Sequence, residues 1–342
     1  MTIKIALIGA GGIAQRLQKR LEEMGYTVCW RLRRETYEIG KISHDREDRT
    51  LQELLEQSEL CVPQIVCIAI STLDKGERAR DYIMDCIKAG VSQVITCEKG
   101  SLAFHAKELA PYFSSENSGL LSTSLKFNAT VTGGVQSLSY LRSRGLKNKK
   151  RIANVQTVLN GTLNFVFDMV ERGGRSLGEA CEEASRLGYA EPGASDALTL
   201  INGEMRDVIM KTCVLFNTTL ARRNFLTPEM LGDFELTTAQ LEKLSEEAMN
   251  YRLVVSFSNQ PVSREHVFLE GNFTTTIDGW HIQGGFRNIR GDAELLSWLP
   301  GGVGNAVHVI EGKFGVGGKY TLVGPGAGHE ATTTAILNDM FN

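Results

Sequence analysis

A carboxylate and an amine stand four residues apart at Asp207 and Lys211. On a helix this spacing puts both side chains on one face, where a carboxylate can hold or tune a proton-transferring amine. Most pairs of this kind are surface salt bridges. Here residues 208–215 are otherwise apolar, which favours a helix face that points inward. The pair is therefore a candidate for acid–base chemistry, with the surface salt bridge as the alternative.

The chain begins with a pattern of strand, glycine turn and helix. Residues 4–8 are apolar, GAGGIA occupies residues 9–14, and an amphipathic run extends to residue 25. In a dinucleotide-binding loop the first glycine permits a tight turn, the second admits the pyrophosphate, and the helix N-terminus supplies N–H donors. The alternative is a glycine turn without a ligand. The candidate cofactor-binding residues here are Gly9, Gly11, Gly12 and Ile13.

The end of the second predicted strand, residues 27–32, bears on the choice of cofactor. An acidic residue there would favour NAD, whereas this chain has Arg31, Arg33 and Arg34. Arginine pairs well with a 2′-phosphate, so the sequence favours NADP(H) over NAD(H) and makes Arg31 a candidate contact. The alternative is a solvated basic turn.

Two further apolar strands end at residues that could meet a ligand. Residues 64–70 lead to Ser71 and Thr72, and residues 93–97 lead to Glu98 and Lys99, with a helix predicted between them at 76–89. Alternating strands and helices predict an α/β fold, a Rossmann-like doubly wound parallel sheet. Its ligands lie beyond the carboxyl ends of the strands, which makes Ser71, Thr72 and Lys99 cofactor-binding candidates.

The second half has a different pattern and predicts an α+β domain for substrate binding and dimerisation. Ser176 and Glu179 form a capping box that opens a helix over residues 176–187. A helix is also predicted over residues 331–340. We expect a dinucleotide-binding domain at 1–127, with 324–342 packing back on it, and a second domain at 128–323. The predicted strands of the second domain are residues 154–158, 253–257, 266–269, 280–284 and 306–311.

The net charge and composition of the chain argue against several classes of protein. A net charge of −3 argues against a nucleic-acid partner. No apolar run approaches the length of a membrane span, and the N-terminus lacks the pattern of a signal peptide. The seven cysteines are scattered and odd in number, which is typical of reduced thiols in a cytoplasmic protein. We therefore expect a cytoplasmic protein that acts on a small molecule.

Several segments together resemble homoserine dehydrogenase, in matching order over nearly the whole chain. Each alone is weak, but the set is specific. Besides the glycine loop, the segments are VITCEKG (94–100), ATVTGGV (129–135), NGTLNF (160–165), SLGEACEEASRLGYAEP (176–192), DVIMK (207–211) and GPGAGHEATTTAILNDM (324–340).

The resemblance implies an NAD(P)-dependent dehydrogenase that interconverts L-aspartate 4-semialdehyde and L-homoserine. It implies a cytoplasmic homodimer, in a short form without a C-terminal regulatory domain. Lys211 and Lys99 would be catalytic, with Asp207 as their carboxylate neighbour. The implied substrate contacts are Gly161, Thr162, Glu191 and Asp207; Gly324 would border the nicotinamide; and a monovalent cation such as Na⁺ would bind carbonyls of Asn128, Val131, Gly133 and Val135.

The chain also departs from the family pattern. Glu98 stands where the family has Asn before the lysine, and could quench Lys99. Extra residues at 192–206 lie where substrate recognition is expected, so that Asp196 could replace a family carboxylate. Two alternatives therefore remain open: a related dehydrogenase for another small amino acid or aldehyde, and a dinucleotide-binding homologue without catalysis.

Overall fold

The computed structural model describes residues 3–34, 36–39, 42–45, 51–56, 63–113, 123–145, 152–190, 196–260, 272–312, 317–326 and 328–341. Within these residues the strands are β1 (Ile5–Ile8), β2 (Val28–Leu32), β3 (Thr36–Ile39), β4 (Ile42–Asp45), β5 (Ile65–Ile68), β6 (Gln93–Thr96), β7 (Ser124–Lys126), β8 (Ile152–Val158), β9 (Tyr251–Ser258), β10 (Phe273–Ile277), β11 (Trp280–Asn288), β12 (Gly304–Glu311) and β13 (Gly318–Pro325).

The α-helices of the same residues are α1 (Gly12–Glu23), α2 (Leu51–Glu56), α3 (Glu77–Lys88), α4 (Gly100–Phe104), α5 (Ala106–Leu109), α6 (Ser137–Gly145), α7 (Gly161–Gly173), α8 (Leu177–Arg186), α9 (Ala197–Leu215), α10 (Thr238–Glu246), α11 (Ala293–Leu296) and α12 (His329–Phe341). None of them is long and apolar enough to cross a membrane.

The chain forms two compact units. The first comprises Met1–Thr130 and His329–Asn342, and the second comprises Val131–Gly328. The division into a dinucleotide-binding and a substrate-binding domain at residues 127 and 323, expected from the sequence, stays a prediction. The C-terminal helix α12 belongs to the first unit.

The first unit is built on a seven-stranded sheet with the order β4-β3-β2-β1-β5-β6-β7. Parallel pairing joins β2, β1, β5, β6 and β7. Strands β1 and β5 are buried along their whole length. Such continuous apolar strands are typical of a parallel sheet covered on both faces. The predicted Rossmann-like α/β fold is confirmed.

The hairpin of β3 and β4 adds two antiparallel strands at one edge, and the sequence did not predict it. Its strands are four residues long and mostly half-exposed or exposed, so they lack the apolar run that identified β1 and β5. A sheet predicted to be parallel is therefore mixed.

The core of the first unit joins the sheet to the two ends of the chain. Side chains of β1, β5 and β6 pack with the apolar face of α1 and with one face of α12. Since the carboxyl ends of β1, β5 and β6 lie at one edge of this sheet, the segments that follow them are brought together there.

The second unit is built on a six-stranded antiparallel sheet with the order β10-β11-β9-β8-β12-β13. It contains the strands predicted at residues 154–158, 253–257, 280–284 and 306–311, each longer than expected. Strands β10 and β13 were not predicted, and the strand expected at 266–269 lies outside the described residues. The capping box of α8 is present, with both reciprocal hydrogen bonds between Ser176 and Glu179.

Candidate active site

The glycine loop between β1 and α1 has the geometry of a ligand cradle. Gly9 has a φ of 141°, and a Cβ there would lie 2.1 Å from the carbonyl oxygen of Ala69, so only glycine fits. Gly11 caps the N-terminus of α1 without a side-chain hydrogen bond, and a Cβ on it would meet nothing within 4 Å. The loop therefore leaves open space before the first N–H groups of the helix, where a phosphate group would fit.

A histidine that the sequence did not single out lies beside this loop. A Cβ on Gly12 would be 2.4 Å from Cε1 of His329, the first residue of α12. The next residue, Glu330, pairs with Arg16 of α1 at 2.6 Å. Ile13, a predicted cofactor contact, is half-buried and packs against the apolar core. The contact with His329 joins residues more than 300 positions apart, so local sequence patterns carry no signal for it.

Arg31 is buried and holds the glycine loop. Its Nε donates to the carbonyl oxygen of Gly9 at 2.9 Å, and its Nη1 donates to Oε1 of Gln18 at 3.1 Å. Its Nη2 is buried without a hydrogen-bond partner among the described residues. Burial, aided by the charge of Arg33, lowers the pKa of the Arg31 guanidinium. Arg31 is therefore not part of a solvated basic turn, and its contact with a 2′-phosphate stays a prediction.

Glu98 connects the segments that follow β5 and β6. Its buried carboxylate accepts hydrogen bonds from the Thr72 hydroxyl at 2.5 Å and from the backbone N–H groups of Gly100 and Ser101 at 2.5 and 2.8 Å. Thr72, predicted to meet the cofactor, thus donates to Glu98. The carboxylate that by the sequence could quench Lys99 thus binds the start of α4, and Lys99 is the residue that precedes this helix.

The other polar residues at this edge differ in their exposure. Ser71 is exposed and Lys99 is half-buried. Cys97 is a poor nucleophile, because burial raises the pKa of its thiol to about 12.

In the second unit, Asp207 and Lys211 lie on α9 with their side chains mostly buried. The Lys211 Nζ is 2.6 Å from Asp207 Oδ2 and donates to the carbonyl oxygen of Leu159 at 3.0 Å. The prediction of an inward-facing helix pair is confirmed, and the surface salt bridge is excluded. Their catalytic role stays a prediction.

The sequence missed two residues that complete this cluster, Asn160 and Glu204. The Asn160 Nδ2 donates to Glu204 Oε2 at 2.5 Å and lies 3.1 Å from Asp207 Oδ2. Glu204 is 9% exposed and stands one helical turn before Asp207. The spacing of residues 204, 207 and 211 on one helix face was the only available signal. We call these four residues, Asn160, Glu204, Asp207 and Lys211, the α9 cluster.

Three of the predicted substrate residues lie at the start of α7 or of α9. Gly161 and Thr162 are buried in the first turn of α7, where the Thr162 hydroxyl donates to the carbonyl oxygen of Tyr189 at 2.9 Å. Asp196 is exposed and caps α9, accepting from the N–H of Thr199 at 2.8 Å. Glu191 lies outside the described residues.

The predicted cation ligands are divided between the two units. Asn128, in the first, is held by Asp339, which accepts from its backbone N–H at 2.8 Å. In the second, the hydroxyl of Thr132 lies 2.7 Å from the carbonyl oxygen of Val131 and 2.9 Å from that of Val135. A cation bound by both carbonyls would require this hydroxyl to turn away or to become a ligand itself, so the cation stays a prediction.

Gly133, a predicted cation ligand, and Gly324, a predicted cofactor contact, both make close approaches to neighbouring residues of the second unit. Gly133 has a φ of 54°, and a Cβ there would approach the carbonyl oxygen of Pro325 to 3.0 Å. Gly324, in β13, is so close to Val135 that a Cβ would lie 2.7 Å from its Cγ2. Among the described residues no group of three or more His, Cys, Asp or Glu side chains could hold a metal ion.

The sequence model of the homoserine dehydrogenase family matches residues 141–341 of the chain. The chain is 30% identical to homoserine dehydrogenase of Corynebacterium glutamicum over 55% of its length and 42% of that protein's. It is 25% identical to the NAD(+)-dependent homoserine dehydrogenase of Pseudomonas canavaninivorans over 78% of its length and 66% of that protein's. A solved structure of a hyperthermophilic archaeal homoserine dehydrogenase in complex with NADPH matches 99% of the chain and 97% of its own, with 21% identity and a TM-score of 0.67.

Proposed function

We propose that this chain, which belongs to the homoserine dehydrogenase family, interconverts L-aspartate 4-semialdehyde and L-homoserine with NADPH or NADP⁺. The observation that supports this most directly is the buried pair of Lys211 and Asp207, with Nζ and Oδ2 2.6 Å apart. The pair lies within the segment that matches the family. Reduction of an aldehyde needs a proton donor for the oxygen that gains negative charge, and this pair can supply one.

The hydrogen bonds of Lys211 leave it suited to that task. A lysine ammonium has three N–H donors. Among the described residues one is directed to Asp207 Oδ2 and one to the carbonyl oxygen of Leu159. The third is available to the aldehyde oxygen, and the two fixed bonds orient it. In the reverse direction the neutral amine accepts the hydroxyl proton of homoserine.

The remaining predicted residues have supporting roles in this proposal. Lys99 provides a second positive charge, and Glu98 sets its position through Thr72 and the start of α4. Gly161 and Thr162 border the substrate, and Glu191 binds its ammonium group.

We propose that the first unit binds the dinucleotide, which supplies the hydride. The glycine loop fits such a cofactor: Gly9 admits no side chain, Gly11 faces open space, and the first turn of α1 presents its N–H groups. Arg31 has one guanidinium nitrogen that no described residue uses, which favours NADPH, although one relative is NAD(+)-dependent by name. The second unit would bind substrate and form a homodimer. A monovalent cation near residues 128–135 belongs to the same proposal.

The test is a steady-state assay of the purified protein with aspartate semialdehyde, comparing NADPH and NADH. Turnover that is faster with NADPH supports the proposal. Tight NADPH binding without turnover of any aldehyde would instead identify a dinucleotide-binding homologue, and turnover of another aldehyde alone would identify a related dehydrogenase.

A further inference from the structure

Glu204 belongs to the α9 cluster but has no part in the proton transfer described above. It is buried at 9% exposure on the face of α9 that carries Asp207 and Lys211. Its Oε2 accepts a hydrogen bond from Asn160 Nδ2 at 2.5 Å. A carboxylate is costly to bury, so a buried one that is hydrogen-bonded beside a proposed proton donor requires an explanation.

The side-chain amide of Asn160 is the link between Glu204 and the proposed proton donor. Its Oδ1 accepts from the backbone N–H of Leu163 at 2.8 Å and so caps α7. Its Nδ2 has two hydrogens, and the two carboxylates of Glu204 and Asp207 lie 2.5 and 3.1 Å from it. The amide is therefore held at three points, and its orientation is fixed.

The fixed amide in turn determines where the carboxylate of Asp207 lies. Asp207 Oδ2 is shared between Asn160 Nδ2 at 3.1 Å and Lys211 Nζ at 2.6 Å. If the amide turned, this oxygen would lose the donor that Asn160 supplies. The Asp207 carboxylate would then shift relative to the Lys211 ammonium, whose third N–H it helps to orient.

We infer that Glu204 is a positioning residue: it fixes the Asn160 amide, which holds Asp207 against Lys211 in the geometry that proton transfer needs. The expected change in kcat rests on the proposed function. The expected change in the geometry of the α9 cluster does not. Glu204 acts through Asn160 and contacts neither substrate nor cofactor in this assignment.

Two substitutions of similar shape separate the hydrogen bond from the charge. Glu204→Gln keeps an oxygen acceptor for Asn160, whereas Glu204→Met keeps the length and offers only a weak sulfur acceptor. We expect Glu204→Met to lower kcat on the order of 100-fold, as small displacements of reacting groups do. Glu204→Gln should stay within about threefold of the wild type, because a neutral acceptor preserves most of the geometry. The KM values for aspartate semialdehyde and NADPH should change little in both.

Two controls complete the design. Glu235→Gln removes an equal charge from an exposed pair with Arg206 in the same unit and should leave kcat unchanged. Asn160→Ser keeps an oxygen acceptor that can cap α7 but lacks the two N–H donors that the amide gives to the carboxylates. It should lower kcat as Glu204→Met does, and the double variant should lose no more than the worse single variant, since both changes break one linkage.

A crystal structure of Glu204→Met gives a readout that does not depend on turnover. The Asn160 amide should rotate, and the distance from Asp207 Oδ2 to Lys211 Nζ should increase from 2.6 Å by about 1 Å or more, the scale of displacement that affects catalysis. An unchanged cluster in that structure would overturn the inference, as would equal losses in the Gln and Met variants. A raised KM for the amino-aldehyde at unchanged kcat would also overturn it and make Glu204 a substrate ligand. If the wild type lacks turnover but the cluster still rearranges, the proposed function fails and the positioning role stands.

Discussion

Replacing Arg31 with methionine should weaken the binding of NADH as well as that of NADPH. The guanidinium Nε donates to the carbonyl oxygen of Gly9 at 2.9 Å, in the loop that we propose cradles the pyrophosphate. Methionine fills the space of the buried stem and removes this donor. Because the pyrophosphate is common to both cofactors, a loop that has lost its support should bind both less well.

The size of the effect follows from the contacts. A hydrogen bond from a charged donor is worth roughly 1.5–3 kcal/mol, and Nε of Arg31 makes one such bond to Gly9. A second, to Gln18 at 3.1 Å, lies partly exposed and adds less. In the variant, part of the binding free energy is spent on returning the glycine loop to its binding conformation. The dissociation constants of both cofactors should therefore rise on the order of 10-fold to 100-fold, at about 1.4 kcal/mol per tenfold.

The assay is a titration that follows the fluorescence of the reduced nicotinamide for both cofactors, with Arg34→Ala as the comparison. Arg34 is exposed, so its removal tests the 2′-phosphate alone and should affect NADPH only. From the sequence we expected the loss of Arg31 to be specific to NADPH; the bond to Gly9 is the reason that the expectation changes. A loss confined to NADPH in Arg31→Met would refute the loop-holding role.

Three further predictions concern other parts of the fold. Gly11→Val should fold like the wild type but lose NADPH affinity, because its side chain would enter the open space where we place the pyrophosphate. Gly9→Ala should lower Tm as well, because its Cβ would clash with the carbonyl oxygen of Ala69. Measurements of Tm and titrations with NADPH distinguish the two variants. Burial alone would raise the pKa of Asp278, but hydrogen bonds from three backbone N–H groups of residues 222–224 lower it to about 2. The ionised Asp278 therefore stabilises the fold above the unfolded-state pKa of about 4, and this contribution is lost as the pH falls toward 2. Urea unfolding of Asp278→Ala should show that the free energy of unfolding falls by about 1 kcal/mol less over this pH range than in the wild type, after allowance for solvent screening. An unchanged pH dependence would contradict this prediction. Glu98→Leu should lower Tm and kcat together, since its carboxylate holds both the β5 and β6 loops; a normal kcat in the folded variant would remove its role near Lys99.

Elements with strong local patterns were predictable from the sequence. The glycine loop, the capping box of α8 and the apolar strands β1 and β5 each carry their own signal within a dozen residues. The inward orientation of α9 followed from the apolar residues that surround Asp207 and Lys211. In each case one short segment contains the physical cause of the structure.

Features that depend on distant partners were not predictable. Glu204 reads as a surface carboxylate until Asn160, 44 positions away, is placed beside it. The bond from Arg31 to Gly9, 22 positions away, had no signal in the sequence, which predicted only a cofactor contact for this arginine. The hairpin of β3 and β4 is held by pairing with β2 rather than by an apolar run of its own. Sequence patterns record periodicity and turns but not which polar groups meet in the folded chain.

The central claim is that Lys211 transfers the proton, and kcat for aspartate semialdehyde with NADPH tests it most directly. Lys211→Ala should lower kcat by on the order of 10²–10⁴, the usual contribution of a positioned acid–base group, with the dissociation constant of NADPH unchanged. Because removal of one partner from a buried pair also destabilises a fold, we expect this variant to melt earlier, and kcat of the folded protein therefore decides the test. A wild type that reduces aspartate semialdehyde and a folded Lys211→Ala variant that reduces it equally fast would contradict the account.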